Sequence, residues 1–585
     1  MFLDYYAHPE FLWRGDPSDR NEHFTLGLTL AIAAKNIDLD WYLYLLEFAK
    51  LWPPFHGIVL SMVLLLGGLD IRLGIVPSLF GWIITITMTW VIARRYFQNT
   101  LLSIFASSIA TTFAIGSPLF RLFATDVMLE CLGAALTSVV LYTFMRTYSE
   151  PDNPVRWRLL ALFLTALFFE KYNYWGLTTI ALLVSILAQA PYKWFGRTRS
   201  DATLGLDYRT IARQIAIDPV VMVVIGLVFF IVYIQWRGPT EIYIFEQHIN
   251  FYPPDNLTSI AYAILFFRLC LAWYRHRPAI DAALGVSGRT MLYWHVLPVA
   301  ISFLVPRRLS WFLWVGSPEN TFGEHHDPWN AIFEYSRGLA DGIFVGPWAA
   351  GLAFVLFLIA TTKIRSLKPE FRTPLIFVLV CGLATILHPN HQPRFMVTWI
   401  FGLWIGAGVG GAYLLQWTIA PLKSDCARIG IASALIGFLI GGTILQRPSP
   451  AAASYAHRTP GPSEFDLLPA YLPQLAGHHH IGLLPAPFGK TAFLFWNVSM
   501  HCHCRIAMDW PGNLTGLGEQ EFENRLRNWL ANTDSDIIVG ISMPNSPVPE
   551  EWIDLVMKSQ ARFEIISNRT AVTHQAVVTV WQKRH

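Results

Sequence analysis

Six ionisable side chains fall within ten positions of the stretch Arg14-Gly-Asp-Pro-Ser-Asp-Arg-Asn-Glu-His-Phe-Thr-Leu, in a chain that otherwise avoids charge. Asp19 and Glu22 are carboxylates at the mouth of an apolar run, FTLGLTLAIAA. A carboxylate so placed can take the proton of a hydroxyl as that hydroxyl attacks. Three further polar groups interrupt apolar runs: Asp126 in FATDVMLECLGAAL with Glu130 one turn on, Lys171 in FFEKYNYW, and His388, His391 and Arg394 in HPNHQPRF. Lys, His and Arg are the groups that neutralise an anion developing on a leaving group. Each has a plainer reading. Asp126 suits a helix N-terminus, Lys171 suits a snorkelling anchor beside Tyr and Trp, and HPNHQPR suits a turn. Two His and one Arg exceed what a turn needs, and ionisable groups at membrane depth default to function.

The elements that position these groups follow from composition. Charged residues are 14% of the 585, hydrophobic ones 54%, and mean hydropathy is +0.40, against roughly a quarter charged in soluble domains. This is the profile of a polytopic membrane protein. Span length and Lys/Arg bias place about twelve helices at 75–93, 100–116, 126–145, 157–171, 174–190, 219–235, 256–274, 291–305, 343–361, 373–387, 394–415 and 428–446. The loops at 94–95, 146–158, 193–214, 275–277, 362–372 and 422–428 carry the basic residues and fall on one side, the expected cytoplasmic face. The opposite face then holds residues 1–74, the 171–175 hairpin, 236–248, a long loop at 306–342, 388–394 and everything after 446. Arg307 and Arg308 lie on that face against the charge rule, where an Arg pair can serve an anionic ligand. The run FHGIVLSMVLLLGG at 55–68 is too short for a crossing. It reads as an interfacial helix entered through Trp52-Pro53-Pro54.

The expected domains are an external catalytic loop with interfacial helices (1–74), the bundle (75–446), a linker (447–464) and a soluble, non-cytoplasmic α/β domain (465–585). In the last, runs at 481–486, 505–510, 536–541, 562–567 and 576–581 read as strands, and FENRLRNWLAN and EEWIDLVMKSQ as helices. Gly477-His-His-His480 and His501-Cys-His-Cys504 have metal-ligand types without the usual zinc spacing, and Cys502 with Cys504 offers a disulfide instead. The other four cysteines lie in or beside apolar runs as small hydrophobes, and a net charge of +3 points to no particular partner.

In order and spacing, several motifs resemble the integral-membrane GT-C glycosyltransferases of the dolichyl-phosphate-mannose protein mannosyltransferase and lipid A aminoarabinose transferase type. They are Asp19-Arg-Asn-Glu22-His23 (the family often has Asp-Glu-x-x-His or Tyr), WPPFHGIVLSMVLLLGG, IRLGIVPSLFGWIITITMTWVIARRYF, Ser117-Pro118 followed by TDVMLE, FFEKYNYW, and HPNHQPRFMVTWIFGLWIGAG. Arg20 stands where the family often has a second acid, which leaves Asp19 and Glu22 both open as the working carboxylate. The family usually begins with a transmembrane helix ahead of this motif, and Met1 already lies in what corresponds to the loop after it. Either the start is placed too late or the fold does without that helix.

The resemblance implies a GT-C-like bundle with a soluble α/β domain and a sugar on a polyprenyl phosphate as donor. Its acceptor attacks the anomeric carbon with inversion. Asp19 is then the expected base, made more basic by desolvation, and Asp126 orients acceptor or base. Lys171, His388, His391 and Arg394 meet the phosphate. A divalent cation, Mg or Mn, held by Asp19 with Asp126 is an open alternative, because relatives differ in using metals. The expected surroundings are membrane lipids and no nucleic acid, with a bacterial inner membrane and a periplasmic site. The rivals are a transporter or flippase, which predicts internal repeats and broken helices, and a receptor-like protein whose output is the external domain.

Overall fold

Residues 18–49, 53–189, 218–238, 241–244, 247–315, 327–388, 392–421, 424–445, 480–484, 507–509, 518–542, 562–570 and 577–584, with a few single positions in the C-terminal region, are those described in the computed structural model of the chain. Helix α1 (Ser18–Lys35) carries Asp19 in its first turn and Lys35 in its last, the charge order that the helix dipole favours. Phe24, Leu28, Ala31 and Ile32 of α1 are buried against Trp41 of α2 (Leu39–Phe48), Leu60 and Leu64 of α3 (Phe55–Gly67), and Ile75 and Val127. Two glycines bring α1 and α3 together. A Cβ at Gly27 would stand 2.6 Å from the Leu60 side chain, and one at Gly57 2.8 Å from Leu26. Pro54 caps α3, whose 13 residues span ~20 Å, short of the ~30 Å of a bilayer core.

The chain is a multi-pass integral membrane protein. Five helices among the described residues are long and apolar enough to cross: Ile71–Arg94, which contains α4 (Val76–Arg94), Pro219–Arg237, Asp255–Ser302, Pro369–Leu387 and Ile400–Ile419. Two bent pairs raise that to seven: α5 (Thr100–Gly116) with α6 (Pro118–Ala124), and Trp329–Ile343 with Pro347–Thr362. The remaining expected crossings also fall on helices. These are α7 (Glu130–Ser149), α8 (Pro154–Glu170), α9 (Tyr172–Gln189) and, after α10 (Pro219–Arg237), the last helix of the bundle (Asp425–Leu445). The expected crossings at 256–274 and 291–305 join in α11 (Asp255–Met291), a π-helical turn at Leu292–Val296 and α12 (Leu297–Ser302).

Three local expectations need correction. Asp126 is not on a helix, because α6 ends at Ala124 and α7 starts only at Glu130. The region 306–342 is no open loop, since α13 (Arg308–Val315) and α14 (Pro328–Gly338) lie within it. An antiparallel hairpin, β1 (Glu241–Ile244) with β2 (Gln247–Asn250), forms where only a connecting loop was expected.

After α15 (Pro347–Thr362) and α16 (Pro369–Leu387), the fully buried α17 residues Trp404, Ile405, Ala407 and Val409 lie at the centre of the bundle core. Helix α17 (Ile400–Ile419) reaches α5 and α15 through glycines. A Cβ at Gly408 would meet Ala106 O at 2.2 Å, and one at Gly410 would meet Leu356 O at 1.7 Å. The bundle closes with α18 (Asp425–Leu445).

In the C-terminal region β3 (His480–Leu484), β4 (Ala507–Asp509), β5 (Ile537–Ser542), β6 (Phe563–Thr570) and β7 (Val577–Lys583) form one sheet in the order β4-β3-β5-β7-β6. The first three strands are parallel, and β7 joins antiparallel. Phe522, Leu526 and Leu530 of α19 (Glu519–Asn532) recur every fourth residue and are buried with Leu484, Ile538 and Trp581. Of the His and Cys cluster only His480 is among the described residues, exposed at the start of β3.

Candidate active site

Four acid–base pairs converge at one end of the bundle, where the first turn of α1, the start of α3, the turn before α7, the α8–α9 hairpin and the 3-10 turn Pro393–Thr398 meet. The Asp19 carboxylate accepts a hydrogen bond from Arg394 Nη1 at 2.9 Å, with 28% and 21% of the two side chains exposed. Behind it Arg20 forks onto Asp126: Nε–H donates to Oδ1 and Nη2 to Oδ2 at 2.8 Å. Both side chains are almost wholly buried. The Val127 N–H also donates to Asp126 Oδ1 at 2.8 Å, so the turn before α7 is tied to α1. Lys171, the residue that ends α8, donates to Glu130 Oε1 at 2.8 Å, and its ammonium lies 4.7 Å from the Tyr174 ring centroid. Deeper still, His56 Nδ1 stands 3.6 Å from Glu170 Oε1, and the His23 and His56 rings are 5.9 Å apart.

Glu22 differs from these. It lies one turn beyond Asp19 on α1 and is only part-buried. Among the described residues it has neither a cationic partner nor a side-chain hydrogen bond. Burial, with the Asp19 carboxylate adding to it, pushes its pKa up to about 8. Burial acts on Asp19 in the same sense, but His23, the Arg394 hydrogen bond and charge, and Lys171 outweigh it and hold Asp19 below its ordinary value. Burial first and the neighbouring His56 second drive His23 down to about 3. Of the groups that hold Asp19 down, Arg394 is the one in direct contact with its carboxylate, at 2.9 Å. The expectation that desolvation makes Asp19 more basic is thereby reversed, because the fold gathers His23, Arg394 and Lys171 around it and their combined effect outweighs burial.

The expected site residues divide accordingly. Asp19, Glu22, Asp126, Lys171 and Arg394 are brought to one end of the bundle. His388 ends α16 with its ring 6.0 Å from that of Phe395, and His391 lies outside the described residues. Asp126 does not share a ligand position with Asp19, since each has its own guanidinium. Among the described residues no three His, Cys, Asp or Glu side chains are grouped to hold a metal ion. Of the Arg307 and Arg308 pair, Arg307 is exposed, whereas Arg308 is buried and donates to Leu46 O at 3.0 Å and Ser302 O at 3.5 Å.

Sequence reading missed Arg20 as the partner of Asp126, and it missed His56 and Glu170 altogether. Glu170 directly precedes Lys171, so an intramembrane acid was there to be noticed. Arg20 was read only as a missing acid.

No known family profile matches the chain, and no curated protein matches it in sequence. In three dimensions it is similar to ArnT from Cupriavidus metallidurans bound to undecaprenyl phosphate, with a TM-score of 0.50 and 12% identity over 99% of this chain and 97% of that one. The chain shares the fold of that ArnT. The apo state of the same ArnT gives 0.47 at 13% identity over the same shares. The Archaeoglobus fulgidus oligosaccharyltransferase complexed with Zn and sulfate gives 0.41 at 12% over 84% of this chain and 59% of that one.

Proposed function

We propose that this GT-C-fold chain is an inverting glycosyltransferase that moves a sugar from a polyprenyl-phosphate donor to an acceptor at the non-cytoplasmic face of the membrane, in a bacterium the periplasmic face of the inner membrane. The Asp19–Arg394 pair carries the reading. It places a carboxylate and a guanidinium 2.9 Å apart, both partly open, at the end of a bundle where Arg20 with Asp126 and Lys171 with Glu130 are sealed in buried pairs. The fold is one for which a complex with undecaprenyl phosphate is known in ArnT.

Transfer forms a bond from the acceptor oxygen to the anomeric carbon and breaks the bond from that carbon to the phosphate oxygen. The acceptor proton goes to a carboxylate at the mouth, and the polyprenyl phosphate leaves as an anion. Arg394 matches a phosphate in two-point geometry, and Lys171 adds positive charge behind it while held by Glu130. Charge already in place where charge develops costs no reorganisation during the reaction. Arg20 with Asp126 has a positioning role, holding the first turn of α1 over the site.

The test is transfer from radiolabelled polyprenyl-phosphate sugars, extracted from membranes, by the purified full chain in lipid nanodiscs. Label should move into an acceptor fraction and free polyprenyl phosphate should appear; donor recovered intact in every preparation overturns the reading. A phosphatase fused after His585 should be active outside the cytoplasm, and activity only of a cytoplasmic reporter would reverse the orientation.

A further inference from the structure

We propose that Glu22, rather than Asp19, accepts the acceptor's proton, and that the acceptor nucleophile is accordingly a hydroxyl. This rests on the glycosyltransferase reading and goes beyond it by separating two carboxylates of one helix turn into different roles.

The geometry makes the separation. Asp126 is bound by Arg20, Glu130 by Lys171, Asp19 by Arg394, and Glu170 faces His56. A carboxylate held by a guanidinium is a poor proton acceptor, because protonating it discards a charge-assisted hydrogen bond. Among the described residues Glu22 has no such hydrogen bond to give up. At i+3 from Asp19 it lies on the same face of α1, so it reaches the same side of the site while Asp19 holds Arg394 in place. Its upward shift to about 8 sets it near the working pH, where a base combines adequate ionisation with the drive to take a proton. Glu22 also falls at an unspecified position of the Asp-Glu-x-x-His pattern, while Arg20 fills the place of the second acid. In this chain that place serves to anchor α1.

The step balances without a further reactant. The acceptor O–H attacks the anomeric carbon, its proton passes to the Glu22 carboxylate, and the electron pair of the breaking bond stays on the polyprenyl phosphate. Glu22 then returns the proton to water. An acceptor that is already an anion, such as a phosphate, needs no such base, and so the hydroxyl follows from the carboxylate.

The experiment compares wild type, Glu22→Gln, Glu22→Asp and Asp19→Asn as full chains in nanodiscs, with extracted polyprenyl-phosphate sugars for turnover and undecaprenyl phosphate alone for binding. Asp19 is the charged group that acts on Glu22, and the other titratable groups at this end of the bundle are Arg20 and His23 on its own helix, Arg394 on the 3-10 turn, Glu130 with Lys171, and His56 with Glu170. Glu22→Gln should lower kcat ~10²-fold or more while undecaprenyl phosphate binds about as before, and wild-type kcat should fall as pH drops below about 8, a limb the variant lacks. Glu22→Asp should restore part of the turnover, and Asp19→Asn should raise the donor KM more than it lowers kcat. The proposal is overturned if Glu22→Gln keeps wild-type turnover or its acid limb, or if Asp19→Asn is the variant that loses kcat. Absence of transfer by the wild type itself would instead overturn the glycosyltransferase reading and this proposal with it.

Discussion

Replacing Arg20 by Ala removes the buried fork onto Asp126, whose carboxylate keeps the hydrogen bond from the Val127 N–H but loses its guanidinium. Breaking a buried ion pair by deleting one partner costs about 3–5 kcal/mol. Here the cost falls on docking of α1. Undocked, Asp126 regains water, so the change appears as easier local opening rather than loss of the fold. Phe24 and Leu28 are fully buried in the same contact and contribute about 1.5–3 kcal/mol each, so α1 stays docked in most molecules. At 1.4 kcal/mol per factor of ten, opening becomes roughly 10²–10³-fold more frequent. Amide hydrogen exchange over residues 20–32, measured by mass spectrometry in nanodiscs, should lose protection by that factor, while α17 stays unchanged. Arg20→Met with Asp126→Leu should recover most of the protection, since apolar replacement of a whole buried pair is often neutral. Unchanged exchange in Arg20→Ala, or a double variant as open as the single one, would refute the anchoring role.

Three further outcomes can be checked. Arg394→Ala should raise the donor KM far more than the acceptor KM, and Arg394→Lys should restore charge without the fork and recover only part of it; equal donor kinetics in all three proteins would make the pair purely structural. Because the folded-state pKa of Glu22 is raised from 4.5 to about 8, the stability conferred by its protonated form is complete below about 4.5 and lost as pH rises through about 8. A melting series over that window should decline in wild type and flatten in Glu22→Gln, the Asp19 contribution lying on the acid side of its ordinary value and outside the window. Gly410→Ala would place a Cβ 1.7 Å from Leu356 O and force α17 away from α15, at or above the usual 1–3 kcal/mol of overpacking. Its control is Gly430→Ala, where nothing lies within 4 Å; equal melting temperatures for the two would contradict the close approach.

The elements were legible in the sequence because they rest on local signals. Apolar length marks the helices of the bundle, Trp52-Pro53-Pro54 marks the entrance to α3, and alternation marks the five strands of the C-terminal sheet. The charged residues were legible as exceptions to an apolar background, which is why Asp19, Glu22, Asp126, Lys171 and Arg394 stood out. Their pairing was not legible. Asp19 meets Arg394 across 375 positions and Arg20 meets Asp126 across 106, and no local pattern encodes which opposite charge a folded chain brings within 3 Å. The sequence order equally concealed that Asp126 leaves the helix for a turn, where its carboxylate faces α1. The consequence is chemical. The same burial that was expected to make Asp19 basic is outweighed by His23, Arg394 and Lys171 together, while Glu22, three residues away, has no cationic partner among the described residues and carries the raised pKa. Residue type and depth set what a side chain is able to do, and the field of its tertiary neighbours decides which of two carboxylates on one helix turn does it.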